Sequence, residues 1–159
     1  MGSLLFADSN LAYLDMDTII SKSKSGSHMF KQLDEIRQKN IEKFIKSEEI
    51  FKSIEKDLLS KKNIISKEEF NLKVKDLKND INEYRVEKNN TIQRLNRKRV
   101  DNSNYFLKLI NPILITYSKE NAIDVILQKK NIIIGQFELD ITDKILDIVN
   151  KNIKNFELK

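Results

Sequence analysis

Cysteine and tryptophan are missing from this chain, proline occurs once, and glycine occurs three times in 159 residues. Without cysteine there is no disulfide and no thiolate metal site, although an oxidising compartment stays open because it permits cysteine without requiring it. Apolar runs such as Ile113-Leu114-Ile115 and Ile132-Ile133-Ile134 are three residues long, and none approaches the roughly 18 needed for a membrane-spanning helix. Aromatic residues make up only 8% and charged residues 33%, a balance that suits long solvated helices better than a thick globular core. The most telling gap is local. Between Gly26 and Pro112 lie 85 residues without either helix breaker, which reads as two long amphipathic helices joined by one reversal.

Positive charge is present but modest, 29 Lys and Arg against 24 Asp and Glu, for a net +5. Nucleic acid or anionic lipid is possible at that excess and not demanded; the abundance of Lys, Asn and Ile, as a codon bias would produce, weakens the argument further. At the N-terminus, Ser3-Leu4-Leu5-Phe6-Ala7-Asp8-Ser9 resembles the end of a secretory signal, with Ala7 and Ser9 as the small residues flanking a cleavage site. Residues 1–9 are therefore expected to be a signal remnant or a disordered start.

Leu11 to Leu14 reads as a short strand, and Asp15 as the cap of a helical turn over Met16 to Ile20. Ser21 to Ser27 is rich in Ser and Lys, with Gly26, which predicts a hinge. The first long helix is expected from Ser27, with Phe30, Leu33, Ile41, Phe44, Ile50, Phe51, Ile54 and Leu58 along one face. In the second, Phe70, Val74, Leu77, Ile81 and Tyr84 alternate steps of four and three, a heptad seam that Ile92 and Leu95 continue approximately. Between them, Ser66-Lys67-Glu68-Glu69 is a capping box, and Ile65 with Phe70 a hydrophobic staple. The chain should thus reverse near 61–66, and arms over 27–61 and 66–111 would span roughly 50 and 70 Å.

The period then changes. Ile123, Val125 and Leu127 alternate with Asp124 and Ile126, and Ile132 and Ile134 follow after Lys129-Lys130-Asn131, which predicts a short hairpin. Asp140 or Thr142 should cap a final helix carrying Ile141, Ile145, Ile148, Val149 and Ile153. The expected fold is mostly α with a small β part. A long antiparallel coiled-coil hairpin, residues 27–111, is inserted into a small β-rich body formed by 10–26 and 112–159. A sheet of three short strands is too small to stand alone, and identical subunits are the simplest source of cover. Leu11, Tyr13, Ile123, Val125, Leu127, Ile132 and Ile134 are accordingly the expected oligomerisation strands.

No catalytic constellation, cofactor loop or metal cluster is legible. His28, the single histidine, lies in a Ser-rich segment without a carboxylate pair. Asp15 and Asp17 could hold a cation, but capping explains them more simply. The most localised charge is Arg85, Lys88, Arg94, Arg97, Lys98 and Arg99, with Glu87 the only acid from 85 to 99. Such a band is either a solvated helix face or a contact for phosphates, anionic lipid or acidic client segments, with Arg94, Arg97, Lys98 and Arg99 as the candidate contacts.

The order of strand, helical hairpin, strand pair and terminal helix resembles the Skp/OmpH family of periplasmic chaperones. The local residues that carry the likeness are Leu14-Asp15-Met16-Asp17, Lys31-Gln32-Leu33, Asn111-Pro112-Ile113-Leu114, Tyr117-Ser118-Lys119-Glu120-Asn121, Ile123-Asp124-Val125-Ile126-Leu127 and Leu139 to Leu146. They run in the family's order and spacing from about Asn10 to Asn150. The resemblance implies a homotrimer in the periplasm whose helical arms surround a cavity for unfolded outer-membrane β-barrel proteins, working without ATP or cofactor. It also implies lipopolysaccharide contact near Arg97 and Lys98. Two other readings fit the residues: a coiled-coil scaffold or adaptor for one folded partner, and a basic nucleic-acid-binding protein.

Overall fold

A computed structural model describes residues 10–159; the signal remnant expected at 1–9 lies outside the described residues. In order, the chain forms β1 (Leu11–Leu14), α1 (Met16–Lys22), α2 (Lys24–Lys61), α3 (Lys67–Glu120), β2 (Val125–Gln128) and α4 (Thr142–Asn152). It divides into two compact units, one comprising 10–32 with 100–159 and the other Leu33–Arg99.

The reversal between α2 and α3 falls where the capping signal predicts. The Ser66 hydroxyl accepts the Glu69 amide at 3.1 Å, which satisfies one of the open donors of the first turn. The Glu69 carboxylate lies 3.6 Å from Lys73, supporting the next turn of the helix. Within this unit Leu33, Phe44, Leu58 and Leu77 are buried, and Phe70, Val74, Ile81 and Tyr84 are half-buried beside them. The heptad seam is therefore real and narrow. Ile41 and Ile54, expected on the same face as Phe44, are left exposed, as are Ile50 and Ile92, because two helices alone bury only the positions on their shared line.

Three expectations fail in the other unit, each for a physical reason. First, Ser21–Ser27 is no hinge. After a break at Ser23, whose amide donates to the Ile19 carbonyl at 3.0 Å, helix α2 starts at Lys24 and runs through Gly26. The serines are consumed by packing: Ser23 and Ser25 are fully buried, and the Lys24 amide donates to the Asn150 side chain at 2.8 Å. Second, α3 does not stop at Asn111 but continues through Pro112 to Glu120. Pro112 is on the exposed side, so its missing N–H opens the helix only toward water. Phe106 and Ile110, fully buried just before it, hold the helix in place across the break. The turn after Glu120 is closed at Ala122, which takes a left-handed φ of 52° while the Ile123 amide returns to the Ser118 carbonyl at 2.9 Å, a Schellman-type ending.

Third, no hairpin forms. The one sheet among the described residues pairs β1 with β2 in parallel, Leu11 opposite Val125 and Tyr13 opposite Leu127. Ile123 belongs to the helix ending and not to a strand. Ile132 and Ile134 lie in an irregular loop between short 3-10 turns at Lys129–Asn131 and Phe137–Leu139. The loop wraps the Tyr13 side chain, whose hydroxyl donates to the Gln136 carbonyl at 3.1 Å. The Tyr13 carbonyl accepts the Ile141 amide at 2.9 Å. These bonds draw the chain toward β1 and leave nothing to fold Ile132–Ile134 back on β2. Neither Asp140 nor Thr142 is the cap of the last helix; that position is Ile141, without a side-chain cap bond. The Asp140 carboxylate, one residue earlier, accepts the Thr142 amide at 3.0 Å. Ile145 and Val149 of α4, with Ile19 of α1, are fully buried in this unit, and α1 packs against α4.

Candidate functional site

Within the hairpin unit, one polar cluster interrupts the apolar seam. The Tyr84 hydroxyl donates to the Glu48 carboxylate at 2.5 Å, and the Lys88 ammonium donates to the same oxygen at 2.8 Å. Phe44 and Phe51 pack edge-on against the Tyr84 ring at 5.9 and 5.4 Å, and Lys88 lies over both the Phe44 and Tyr84 rings. The hydrogen bonds from Lys88 and then Tyr84 hold the Glu48 carboxyl below its ordinary range. The bond to Glu48 likewise raises Lys88, and burial followed by the Glu48 contact raises the Tyr84 phenol. A hydrogen-bonded group that fits only one alignment of α2 on α3 selects the register of the pair.

That cluster also thins the basic band. Lys88 is paired with Glu48, and the Arg94 guanidinium donates to Glu87 at 3.0 Å and to Thr91 at 2.9 Å. Arg94, a candidate contact, is thereby part of a local helix ion pair. Arg97 and Arg99 stand exposed and Lys98 half-buried, and Lys98 and Arg99 engage neighbouring groups. The structure brings Arg97, Lys98 and Arg99 together only as consecutive positions of α3. Apolar residues are more prominent on the same unit: Ile45, Ile50, Leu59, Leu72 and Val86 are all more than half exposed.

In the body unit, Leu11, Val125 and Leu127 share an exposed sheet face, at 46%, 43% and 42%, while Tyr13 on that face is covered by the loop. The loop itself presents Ile133, Ile134 and Phe137 almost wholly to solvent, at 98%, 92% and 83%. Its two ends are fixed by an ion pair from Lys129 to Asp140 at 2.6 Å. Burial pushes the Asp140 carboxyl up, but the bonds from Lys129 and Thr142 outweigh it and leave the group below its ordinary value. Asp15 is spent as a cap: it accepts the Thr18 amide at 3.0 Å and hydroxyl at 2.7 Å, and these bonds lower its pKa. Asp17 lies 4.0 Å from Lys130, and His28 contacts Gln32. Among the described residues no group of three or more acidic, His or Cys side chains is placed to hold a metal, and no helix is long and apolar enough to cross a membrane.

Sequence reasoning missed one feature altogether. After α4, residues 153–159 have no regular structure, yet they are held by side chains of α2 and α3. Ser25 donates to the Ile153 carbonyl, Gln32 to the Phe156 carbonyl at 3.0 Å, and buried Asn102 bonds both the amide and the carbonyl of Lys159 at 2.9 and 3.3 Å. Phe156 packs on Phe106 and Tyr105 with ring centres 5.4 and 5.7 Å apart. An isolated Phe in a polar tail was the only available signal, and periodicity does not detect single anchors.

In chain order, a long helical hairpin is inserted between the two strands of a minimal parallel sheet. The OmpH-like sequence family, described as outer membrane protein (OmpH-like), matches residues 10–149. The chain belongs to the OmpH-like family, and that membership supports a chaperone role. The fold is similar to a crystal structure of an OmpH-like protein from Caulobacter crescentus CB15, assigned as an outer membrane chaperone. The TM-score is 0.74 at 14% identity, over 100% of this chain and 94% of that one. No curated protein matches the sequence.

Proposed function

We propose that the chain is an ATP-independent periplasmic holdase, a homotrimer whose helical arms enclose unfolded outer-membrane proteins and prevent their aggregation. The observation that carries this reading is the excess of apolar side chains off the hairpin seam. Ile45, Ile50, Leu59, Leu72 and Val86 are exposed and spread along both arms, with Leu72 and Val86 each set between charged or amide residues. Scattered apolar contacts of this kind give many weak attachments to an unfolded chain and select no particular sequence. Unfolded β-barrel strands carry alternating apolar residues that aggregate in water, and a host that binds only the unfolded form keeps them dispersed by mass action.

Assembly is supported by the body unit. A two-stranded sheet is marginal alone, and Ile133, Ile134 and Phe137 are far more exposed than a finished surface warrants. Three copies would cover them and set the arms around a common space. Arg97 and Lys98 are the proposed contacts for lipopolysaccharide or another anionic surface.

Dilution of a denatured outer-membrane β-barrel protein, with and without the chain, tests the holding role by light scattering. Suppression near one trimer per client is expected; unchanged scattering would leave a scaffold for a folded partner as the better account. Sedimentation equilibrium tests the assembly, with replacement of Ile133, Ile134 and Phe137 by Ser expected to shift trimer to monomer at micromolar concentration.

A further inference from the structure

The cradle for the C-terminal tail has the chemistry of a peptide site. The tail contributes one fully enclosed side chain, Phe156, 2% exposed, against Phe106 and Tyr105. Almost everything else the cradle holds is main chain: Ser25 on the Ile153 carbonyl, Gln32 on the Phe156 carbonyl, and Asn102 on both polar atoms of Lys159. Besides the Phe ring, the Lys159 ammonium lies over the Tyr105 ring at 3.4 Å, and Ile153 and Leu158 are half-buried. Neutral side chains that bond carbonyls and amides recognise any extended backbone, and a ring pocket adds a requirement for one aromatic residue. The tail has no helix or ladder of its own to break when it leaves, and segments held by so few contacts are those that open locally.

We infer that this cradle is an exchangeable binding site. The chain's own tail occupies it at rest, and an extended segment of an unfolded client, bearing an aromatic residue, replaces the tail. The inference rests on the chaperone reading for the identity of the occupant. Extended backbone plus an occasional aromatic ring is what any unfolded polypeptide offers, whereas a folded partner withholds its backbone.

The test uses the full chain and a fluorescein-labelled synthetic peptide, Ile-Lys-Asn-Phe-Glu-Leu-Lys, read by anisotropy. Weakening the resident tail by Phe156→Ala should tighten peptide binding at least ten-fold relative to the unaltered chain. A peptide with Ala in place of its Phe should bind at least ten-fold more weakly. Equal binding by the two proteins, or by the two peptides, would overturn the inference. Should Phe156→Ala lose helicity by circular dichroism, Phe156→Leu is read in the same assay against the same criteria. Finally, an unfolded outer-membrane protein should chase the peptide from the Phe156 variant. Failure to chase would remove the client as occupant, even if light scattering showed clients held elsewhere on the molecule. Loss of holding with exchange intact would instead strike the chaperone reading.

Discussion

The carbonyl oxygen of Ile20 lies where a side chain on Gly26 would begin. A Cβ built on Gly26 falls 1.8 Å from that oxygen and 2.8 Å from the Ser23 hydroxyl. The end of α1 and the first turn of α2 therefore approach as closely as two backbones can, and only glycine allows it. Because the obstacle is backbone, it cannot swing aside as a flexible side chain would. Gly26→Ala should destabilise the body unit by about 3 kcal/mol, lowering the thermal midpoint by roughly 6–12 °C. A melt within 1–2 °C of the parent, on the order of 0.5 kcal/mol, would mean that the two backbones stand further apart.

The cluster around Glu48 carries a pH signature. Glu48 sits below its ordinary 4.5 and Lys88 above its ordinary 10.5. A carboxyl lowered in the folded state contributes stability above its unfolded value and loses it as pH falls through the folded value. A raised ammonium contributes below its unfolded value and loses it as pH rises through the folded one. The cluster should thus be complete between about pH 4.5 and 10.5. Carbon-13 titration of Glu48 should give a midpoint below that of exposed glutamates in the chain, and Lys88→Gln should raise it. An unshifted midpoint in the parent would remove the ion pair from solution.

Ala122 occupies a conformation that disfavours every side chain. Its φ of 52° costs an L-residue about 1 kcal/mol that glycine does not incur. Ala122→Gly should stabilise the end of α3 by about 0.5 kcal/mol, since greater freedom in the unfolded chain offsets part of the gain. Chemical denaturation with an unchanged slope measures it. A loss of stability would contradict the left-handed ending.

Charge should matter at Arg97, Lys98 and Arg99 and matter little at Arg94. Replacing the first three with Gln should weaken capture of acidic clients or anionic lipid vesicles several-fold at low salt. The difference should fade near 0.15 M, where screening acts over about 8 Å. Arg94→Gln should change capture by less than two-fold, because Glu87 already neutralises that cation. Equal binding by the triple variant would return the band to a solvated helix face.

The two long helices and their reversal were determined by local chemistry alone. Propensity, the heptad from Phe70 to Tyr84 and the Ser66 cap act within a few residues of themselves, so the chain states them openly. The same holds for the strand at Leu11–Leu14 and the Asp15 cap. What only the tertiary structure decided depends on distant partners. Gly26 reads as a hinge until the carbonyl of Ile20 is brought against it. Pro112 reads as a stop until Phe106 and Ile110 anchor the turns before it. Ile132 and Ile134 read as a strand until Tyr13, more than a hundred residues away, gathers their loop. Lys88 counts toward a basic band until Glu48, on the other helix, neutralises it. Phe156 has no periodic neighbour at all, and its cradle exists only because α2 and α3 place Gln32 and Asn102 on either side of it.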